Sequence, residues 1–273
     1  MKSIILGKGD WGKLLEKYIR QDSRFEILEI FGKDFSVLKI PKGTQVAFIA
    51  TPLKSHFNLA LECLKSGIHV FVEKPTCESL EEFYRLKQES QKNAVRFYTD
   101  YIYLTSPSIL KIKESLSCLC GGIEIKASIK QYGKFYAGES ALDVLGVHFL
   151  SVFADWFGKL KVVRRHNVRA YEESFVLNAN GISIDFCCSL VSQIKERRIH
   201  IVAKNGEIFF DMLAKNTVRM LIGNKEKIFS FDEKNNIANS LQKFYEILND
   251  EQKYLEHCHL SKEITRVMEE CKR

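Results

Sequence analysis

The sequence predicts a two-part chain: an α/β half built on a doubly wound parallel sheet, then an α+β half built on a mostly antiparallel open sheet. Three observations predict it. In residues 1–120 short apolar runs alternate with helix-period segments, the pattern of parallel strands joined by crossover helices. After residue 120 strand-like runs follow one another with few helices between them. Two pairs, Asn180-Gly181 and Asn205-Gly206, fall between such runs and are the residues of tight hairpin turns. The division is therefore drawn as residues 1–120 and 121–273.

The first strand is expected at residues 3–6. Trp11, Leu14, Leu15, Tyr18 and Ile19 follow at i, i+3, i+4, i+7 and i+8, one apolar stripe of a helix. Strands at 25–31 and 46–50 come next. Leu53, His56, Phe57, Ala60, Leu61 and Leu64 repeat the helical spacing, a strand is expected at 69–72, and a third helix follows Cys77, with Glu78 and Ser79 suited to its first turn. A strand at 95–98 completes the parallel set. In the second half the strands are 123–129, 161–169, 175–178, 182–191, 199–203, 208–212 and 218–222. A helix at 141–157 follows the first of these, and helical sequence from Ile237 closes the chain. On the first strand of this half Ile123, Ile125, Ala127 and Ile129 face one way and Glu124, Lys126, Ser128 and Lys130 the other. The apolar side should pack on helices.

Composition narrows the function. The chain has 273 residues, 45% of them hydrophobic, enough for full cores. Its 41 basic and 34 acidic side chains give +7, and the excess is not gathered into one block, which suits a small anionic ligand better than nucleic acid. Mean hydropathy is −0.15, and no apolar run reaches the roughly 18 residues a membrane span needs. Met1-Lys2-Ser3 leads directly into Ile4-Ile5-Leu6 without a signal-peptide core, so a cytoplasmic protein is expected. The eight cysteines are scattered, mostly within apolar patterns, and read as reduced thiols. His257-Cys258-His259 and Cys118-Leu119-Cys120 lack the paired spacing of a zinc site, and no metal is expected.

Gly7-Lys8-Gly9-Asp10-Trp11-Gly12 is a complete GxGxxG that follows a strand and opens a helix. The three glycines would give a tight turn, close approach of backbone to a pyrophosphate, and close helix packing. The helix N-terminus adds free N–H groups and partial positive charge. This is the fingerprint of a Rossmann dinucleotide site, with Asp10 and Trp11 inside it. A carboxylate for the ribose hydroxyls of NAD belongs about 20 residues further on, at the end of the second strand. Gly32 stands there. Lys33 beside it would pair with a 2′-phosphate and favour NADP; it reads equally as a solvated loop lysine, and Asp34 could serve the ribose of NAD. The reading leans to NADP.

Further on stand Ala50-Thr51-Pro52, His56, and Ser66-Gly67-Ile68-His69-Val70-Phe71-Val72-Glu73-Lys74-Pro75. With the glycine turn, these residues resemble the Gfo/Idh/MocA family of NAD(P)-dependent oxidoreductases, closely over residues 1–110 and more loosely beyond. The resemblance implies hydride transfer between a nicotinamide and a secondary alcohol or ketone of a sugar or sugar nucleotide. It implies that Lys74 meets the reacting oxygen, that the peptide before Pro75 is cis, and that Ala50, Thr51, Pro52, His56 and Glu73 surround the ribose and nicotinamide. A cation there stabilises charge on the oxygen as hydride leaves carbon.

The resemblance also implies a helix with an aspartate and a histidine four residues apart. His148 matches as a proton donor or acceptor. Val144 holds the aspartate position, and Asp143 lies one residue earlier. On a regular helix five residues put side chains about 140° apart, so Asp143 should share the face of His148 only if the helix is distorted. Tyr101, Tyr103, Asp143 and Ser151 are the candidate substrate contacts; the tyrosines bond a sugar or cover the sheet edge. Relatives form homo-oligomers through the open sheet, and the same is expected here. The alternative class is a non-catalytic NAD(P)-binding regulator on the same fold.

Overall fold

The computed structural model describes the chain apart from Asp34, Ala170, Lys215 and Asn216, and apart from the side chains of Asn167, Val168 and Thr217. In chain order the elements begin β1 (Lys2–Leu6), α1 (Asp10–Arg20), β2 (Glu26–Phe31), β3 (Val46–Ile49), α2 (Leu53–Lys65), β4 (His69–Glu73), α3 (Leu80–Lys92), β5 (Phe97–Asp100) and α4 (Pro107–Ser115). They continue β6 (Glu124–Tyr132), α5 (Val147–Phe157), β7 (Lys161–Arg169), β8 (Glu172–Ala179), β9 (Ile182–Ser189), β10 (Val191–Ala203) and β11 (Gly206–Asp211). The last are β12 (Thr217–Ile222), β13 (Lys225–Ser230), α6 (Asn236–Asn249) and α7 (Glu251–Lys272). No helix among the described residues is long and apolar enough to cross a membrane.

The chain groups into two compact units, Met1–Tyr101 with Ile237–Arg266, and Ile102–Asn236 with Val267–Arg273. Against the sequence division near residue 120, the first unit stops at 101 and takes up most of the two terminal helices. A packing contact explains why. Phe25, Phe48, Phe71 and Tyr98 line one face of the parallel sheet, and Phe244 of α6 lies against all four, with ring centroids 5.5–6.1 Å apart. Burying large apolar surface of this kind is the main favourable term in folding.

The first unit holds a parallel sheet of order β2-β1-β3-β4-β5. Between β2 and β3 the described residues form only a 3-10 turn at Val37–Lys39, so β2 remains an edge strand. The order reverses between β1 and β3, and ligands of open α/β sheets bind outside the carboxyl ends of the strands at such a switch point. The glycine turn follows β1, and Ala50-Thr51-Pro52 follows β3.

The second unit is an eight-stranded sheet of order β13-β12-β11-β10-β6-β9-β8-β7, antiparallel except where β6 runs beside β9. On β6, Ile125, Ala127 and Ile129 are buried, while Glu124 and Lys126 are exposed. Phe149 and Phe153 of α5 pack on Phe186 of β9.

Three local features differ from the sequence expectation. The first hairpin turns on Asn180 (φ 52°) and Gly181 (φ 88°) as expected. The second turns one residue early, on Lys204-Asn205, because Gly206 already pairs with Ala203. Gly206 is needed for another reason, since a Cβ there would lie 2.1 Å from the Leu221 carbonyl oxygen. The second difference is β13, an edge strand of mostly exposed residues that has no alternating apolar signal. The third is that residues 142–146 form a π turn rather than the first turn of an α-helix.

Candidate active site

The three glycines of the opening turn meet three different constraints. Gly7 has φ +124°, and a Cβ on it would lie 2.3 Å from the Ala50 carbonyl oxygen, so β1 and β3 can end this close only with glycine. A Cβ on Gly12 would lie 2.1 Å from the Gly7 carbonyl oxygen, which fixes the approach of α1 to the turn. Gly9 meets nothing within 4 Å. Its missing side chain serves no contact inside the protein and leaves backbone open from outside. Gly9 also caps α1 without a side-chain hydrogen bond, so the first N–H groups of the helix remain for a ligand. This cradle fits a pyrophosphate.

Beside Gly7 a cavity of about 470 Å³ runs between α1 and β2, lined by Lys8, Lys13, Glu16, Arg20 and residues 27–30. The sequence reading passed over Lys8 and Lys13; their place in and just after the glycine motif was the available signal. Gly32 is half-buried, Lys33 is exposed, and Asp34 lies outside the described residues.

At the end of β3, the Ser55 hydroxyl donates to Thr51 Oγ1 (2.7 Å), and Pro52 precedes the first turn of α2. His56 is buried with one ring nitrogen 2.8 Å from the Pro75 carbonyl oxygen and the other 2.6 Å from that of Thr51. Burial holds its pKa below the ordinary imidazole value against the pull of those carbonyls. His56 thereby ties the segment after β3 to the segment after β4.

The segment after β4 is Glu73-Lys74-Pro75, with the Lys74–Pro75 peptide cis as the resemblance implied. Lys74 is half-buried. The Trp11 indole N–H donates to Glu73 Oε1, bringing the glycine motif against this segment. Glu73 is the register partner of Asp100 at the end of β5. Burial, and then the neighbouring Asp100, push the Glu73 carboxyl well above its ordinary range. Burial pushes Asp100 up to about 6. Asp100 was not singled out from the sequence, where Thr-Asp-Tyr after a strand carries no distinguishing pattern.

Tyr101 and Tyr103 diverge. Tyr101 is buried in the first unit, where Ser261 and Thr99 act on its hydroxyl. Tyr103, in the second unit, stacks on His148 with ring centroids 4.5 Å apart and planes 17° apart. Burial raises its pKa, opposed by Arg197, which hydrogen-bonds its hydroxyl. Arg197 is 7% exposed and also donates to the carbonyl oxygens of Lys130 and Glu196 (2.8 Å each) and to Gln131 Oε1 (2.6 Å). Sequence reasoning missed Arg197 because it sits among six charged or polar neighbours on β10 and only the strand register turns it inward.

The π turn changes the relation of Asp143 to His148. The Val147 N–H donates to the Leu142 carbonyl, five residues back. One extra residue in the turn brings position i+5 round to about where i+4 falls on a regular helix, so the distortion compensates for the displaced aspartate. Glu173 accepts from the Leu142 N–H (2.8 Å), and Gly146 admits Leu142, Cys188 and Phe186 at distances that leave no room for a Cβ. Yet the Asp143 carboxylate is taken up within the protein. It lies 2.6 Å from Lys272 Nζ and accepts from the Ser140 N–H (3.0 Å) and hydroxyl (3.1 Å). Ser151 is fully buried and donates to the His148 carbonyl (2.7 Å). Asp143 and Ser151 are thus both buried and bonded within the protein. No group of three or more His, Cys, Asp or Glu among the described residues is placed to hold a metal.

Residues 17–101 match the model of the Gfo/Idh/MocA oxidoreductase family, NAD-binding Rossmann fold. No curated protein matches the chain in sequence. The fold is similar to that of the UDP-N-acetylglucosamine 3-dehydrogenase GnnA from Acidithiobacillus ferrooxidans, with TM-score 0.85 and 16% identity over 99% of this chain and 96% of that one. It is also similar to KijD10, a 3-ketoreductase from Actinomadura kijaniata solved with NADP and TDP-benzene, with TM-score 0.87 and 14% identity over 100% and 97% of the two chains.

Proposed function

We propose that the chain, whose residues 17–101 match the Gfo/Idh/MocA oxidoreductase family model, is an NAD(P)-dependent oxidoreductase of that family that transfers hydride between NADP and a secondary alcohol or ketone on a nucleotide-linked sugar. The observation that carries this reading is the placement of Lys74. It follows β4 directly, at the same carboxyl end of the parallel sheet where Gly9 leaves backbone open and α1 presents uncapped N–H groups.

A bound nicotinamide supplies the hydride acceptor or donor. The chain's own residues do the rest. Gly7, Gly9, Asp10, Trp11 and Gly12 form the pyrophosphate cradle, with Ala50, Thr51 and Pro52 beside it. Lys74 carries positive charge to the substrate oxygen, stabilising it as the C–H bond breaks or forms. His148, held flat by Tyr103, takes the hydroxyl proton in oxidation and returns it in reduction. The preference for NADP is supported by Gly32 at the carboxylate position, by Lys33 in solvent beside it, and by Lys8 and Lys13 along the cavity. A nucleotide-linked sugar is supported by the two similar folds, one named for a UDP-sugar and the other holding a TDP compound. A homo-oligomer is part of the same proposal, and light scattering tests it.

A panel of UDP- and TDP-sugars assayed by nicotinamide absorbance tests the activity. Turnover of at least one supports the proposal. Uniform silence despite tight cofactor binding favours a ligand-sensing regulator. Dissociation constants for both cofactors test the preference, and NAD binding about tenfold tighter overturns it.

A further inference from the structure

Strands β4 and β5 end side by side on two carboxylic acids. Glu73 and Asp100 are register partners, and the two carboxyls are within hydrogen-bonding reach of each other. Asp100 is 1% exposed, and its buried Oδ2 meets no hydrogen-bond donor from the other described residues. Each carboxyl has a separate anchor. The Trp11 indole N–H donates to Glu73 Oε1. The Ser240 hydroxyl donates to Asp100 Oδ1 at 2.5 Å, and Ser240 Oγ also lies 3.0 Å from the Tyr98 hydroxyl. The other charged or titratable groups that act on the pair are Lys74 from the end of β4, Lys243 from α6 and Tyr98 from β5.

A lone buried carboxylate is costly, and two in contact are costlier still. Carboxyls in this arrangement retain one proton between them and titrate as a unit. An amide or apolar residue at position 100 would end the strand at lower cost, so the acid is unexplained by packing. We propose that Asp100 is a positioning residue of the hydride-transfer site: with Glu73 it holds one shared proton, so the pair presents a single negative charge behind Lys74. That charge orients the ammonium. A second charge, appearing when the shared proton leaves, binds the ammonium more tightly and withdraws it from the substrate oxygen. The inference rests on the reading of Lys74 as the group that meets that oxygen.

Carboxyl NMR of protein carrying 13C-labelled Asp and Glu side chains reads the pair without substrate. The expected result is that Asp100 and Glu73 shift together in two steps. Asp100→Asn then lowers the Glu73 midpoint by about one pH unit or more, and Glu73→Leu, which removes the hydrogen bond that holds Asp100 down, raises that of Asp100. Midpoints that stay where they were in both variants overturn the shared proton. The pH profile of kcat reads the link to Lys74. Asp100→Asn and Glu73→Gln should each remove the same ionisation from the profile, and the double variant should remove nothing more. A profile for Asp100→Asn that superimposes on that of the parent overturns the positioning role. Full activity in Lys74→Met with the NMR result intact overturns the reading of Lys74 and not the shared proton.

Discussion

Asp143 and Lys272 lie 129 positions apart in sequence and form an ion pair of 2.6 Å in which the aspartate side chain is 2% exposed and the lysine 31%. The end of α7 thereby closes on the π turn that leads into α5, the helix of His148. The Asp143 carboxylate thus holds the C-terminal end of the chain.

Lys272→Met leaves a buried carboxylate with only the Ser140 bonds. Breaking a buried pair at one side costs several kcal/mol, and partial exposure of the lysine reduces this, so a loss of about 1–3 kcal/mol in urea unfolding is expected. Adding Asp143→Asn should recover part of it. Equal losses in the single and double variants would show that the pair carries no coupling.

Gly9→Ala and Gly12→Ala should separate binding from stability. The alanine at 9 meets no atom of the protein, so its melting temperature should stay near that of the parent while cofactor affinity falls at least about tenfold. The alanine at 12 strikes the Gly7 carbonyl and should lower the melting temperature. Calorimetry and cofactor titration of both variants check this, and unaltered affinity in Gly9→Ala counts against the cradle.

Lys74→Met should lower kcat by about 10²-fold or more, the scale of a lost electrostatic or acid/base group, with cofactor affinity changed little. Steady-state kinetics with the best sugar nucleotide measures it. Near-normal turnover would remove Lys74 from the chemistry.

His257 should make the first unit acid-labile. Its Nε2 accepts the Thr99 N–H at 2.9 Å, its ring stacks on Tyr98, and burial holds its pKa down to about 3. The folded pKa lies below the unfolded value of 6.5, so this contribution is complete above pH 6.5 and is lost as pH falls from there toward 3. The limiting slope for one proton is about 1.4 kcal/mol per pH unit. His257→Gln should flatten that slope in urea titrations at a series of pH values, and an unchanged slope would assign the lability elsewhere.

Much of this was legible in the sequence because local periodicity encodes it. The alternation along β6, the stripes of α1 and α2, and the glycines that join β1 to α1 are all short-range patterns set by burial on one face. What was hidden depends on partners distant in the chain. The π turn follows from Glu173 and from the close packing at Gly146, and nothing in Leu-Asp-Val-Leu-Gly announces it. Arg197 is one basic residue among several until pairing with β6 turns it inward. Asp100 gains meaning only beside Glu73. The turn at Lys204-Asn205 was misplaced by one residue because the Asn-Gly signal is shared between a turn that needs a positive φ and a strand start that needs space.

The aromatic seat of Phe244 also governs the order of events during synthesis. By the time Tyr101 has left the ribosome, every strand of the parallel sheet exists, but the face bearing Phe25, Phe48, Phe71 and Tyr98 stays bare until α6 emerges some 140 residues later. The strands of the intervening eight-stranded sheet are all made first. A nascent chain stalled before residue 237 therefore exposes a sticky aromatic surface, and a chaperone that shields it would be needed most in that interval.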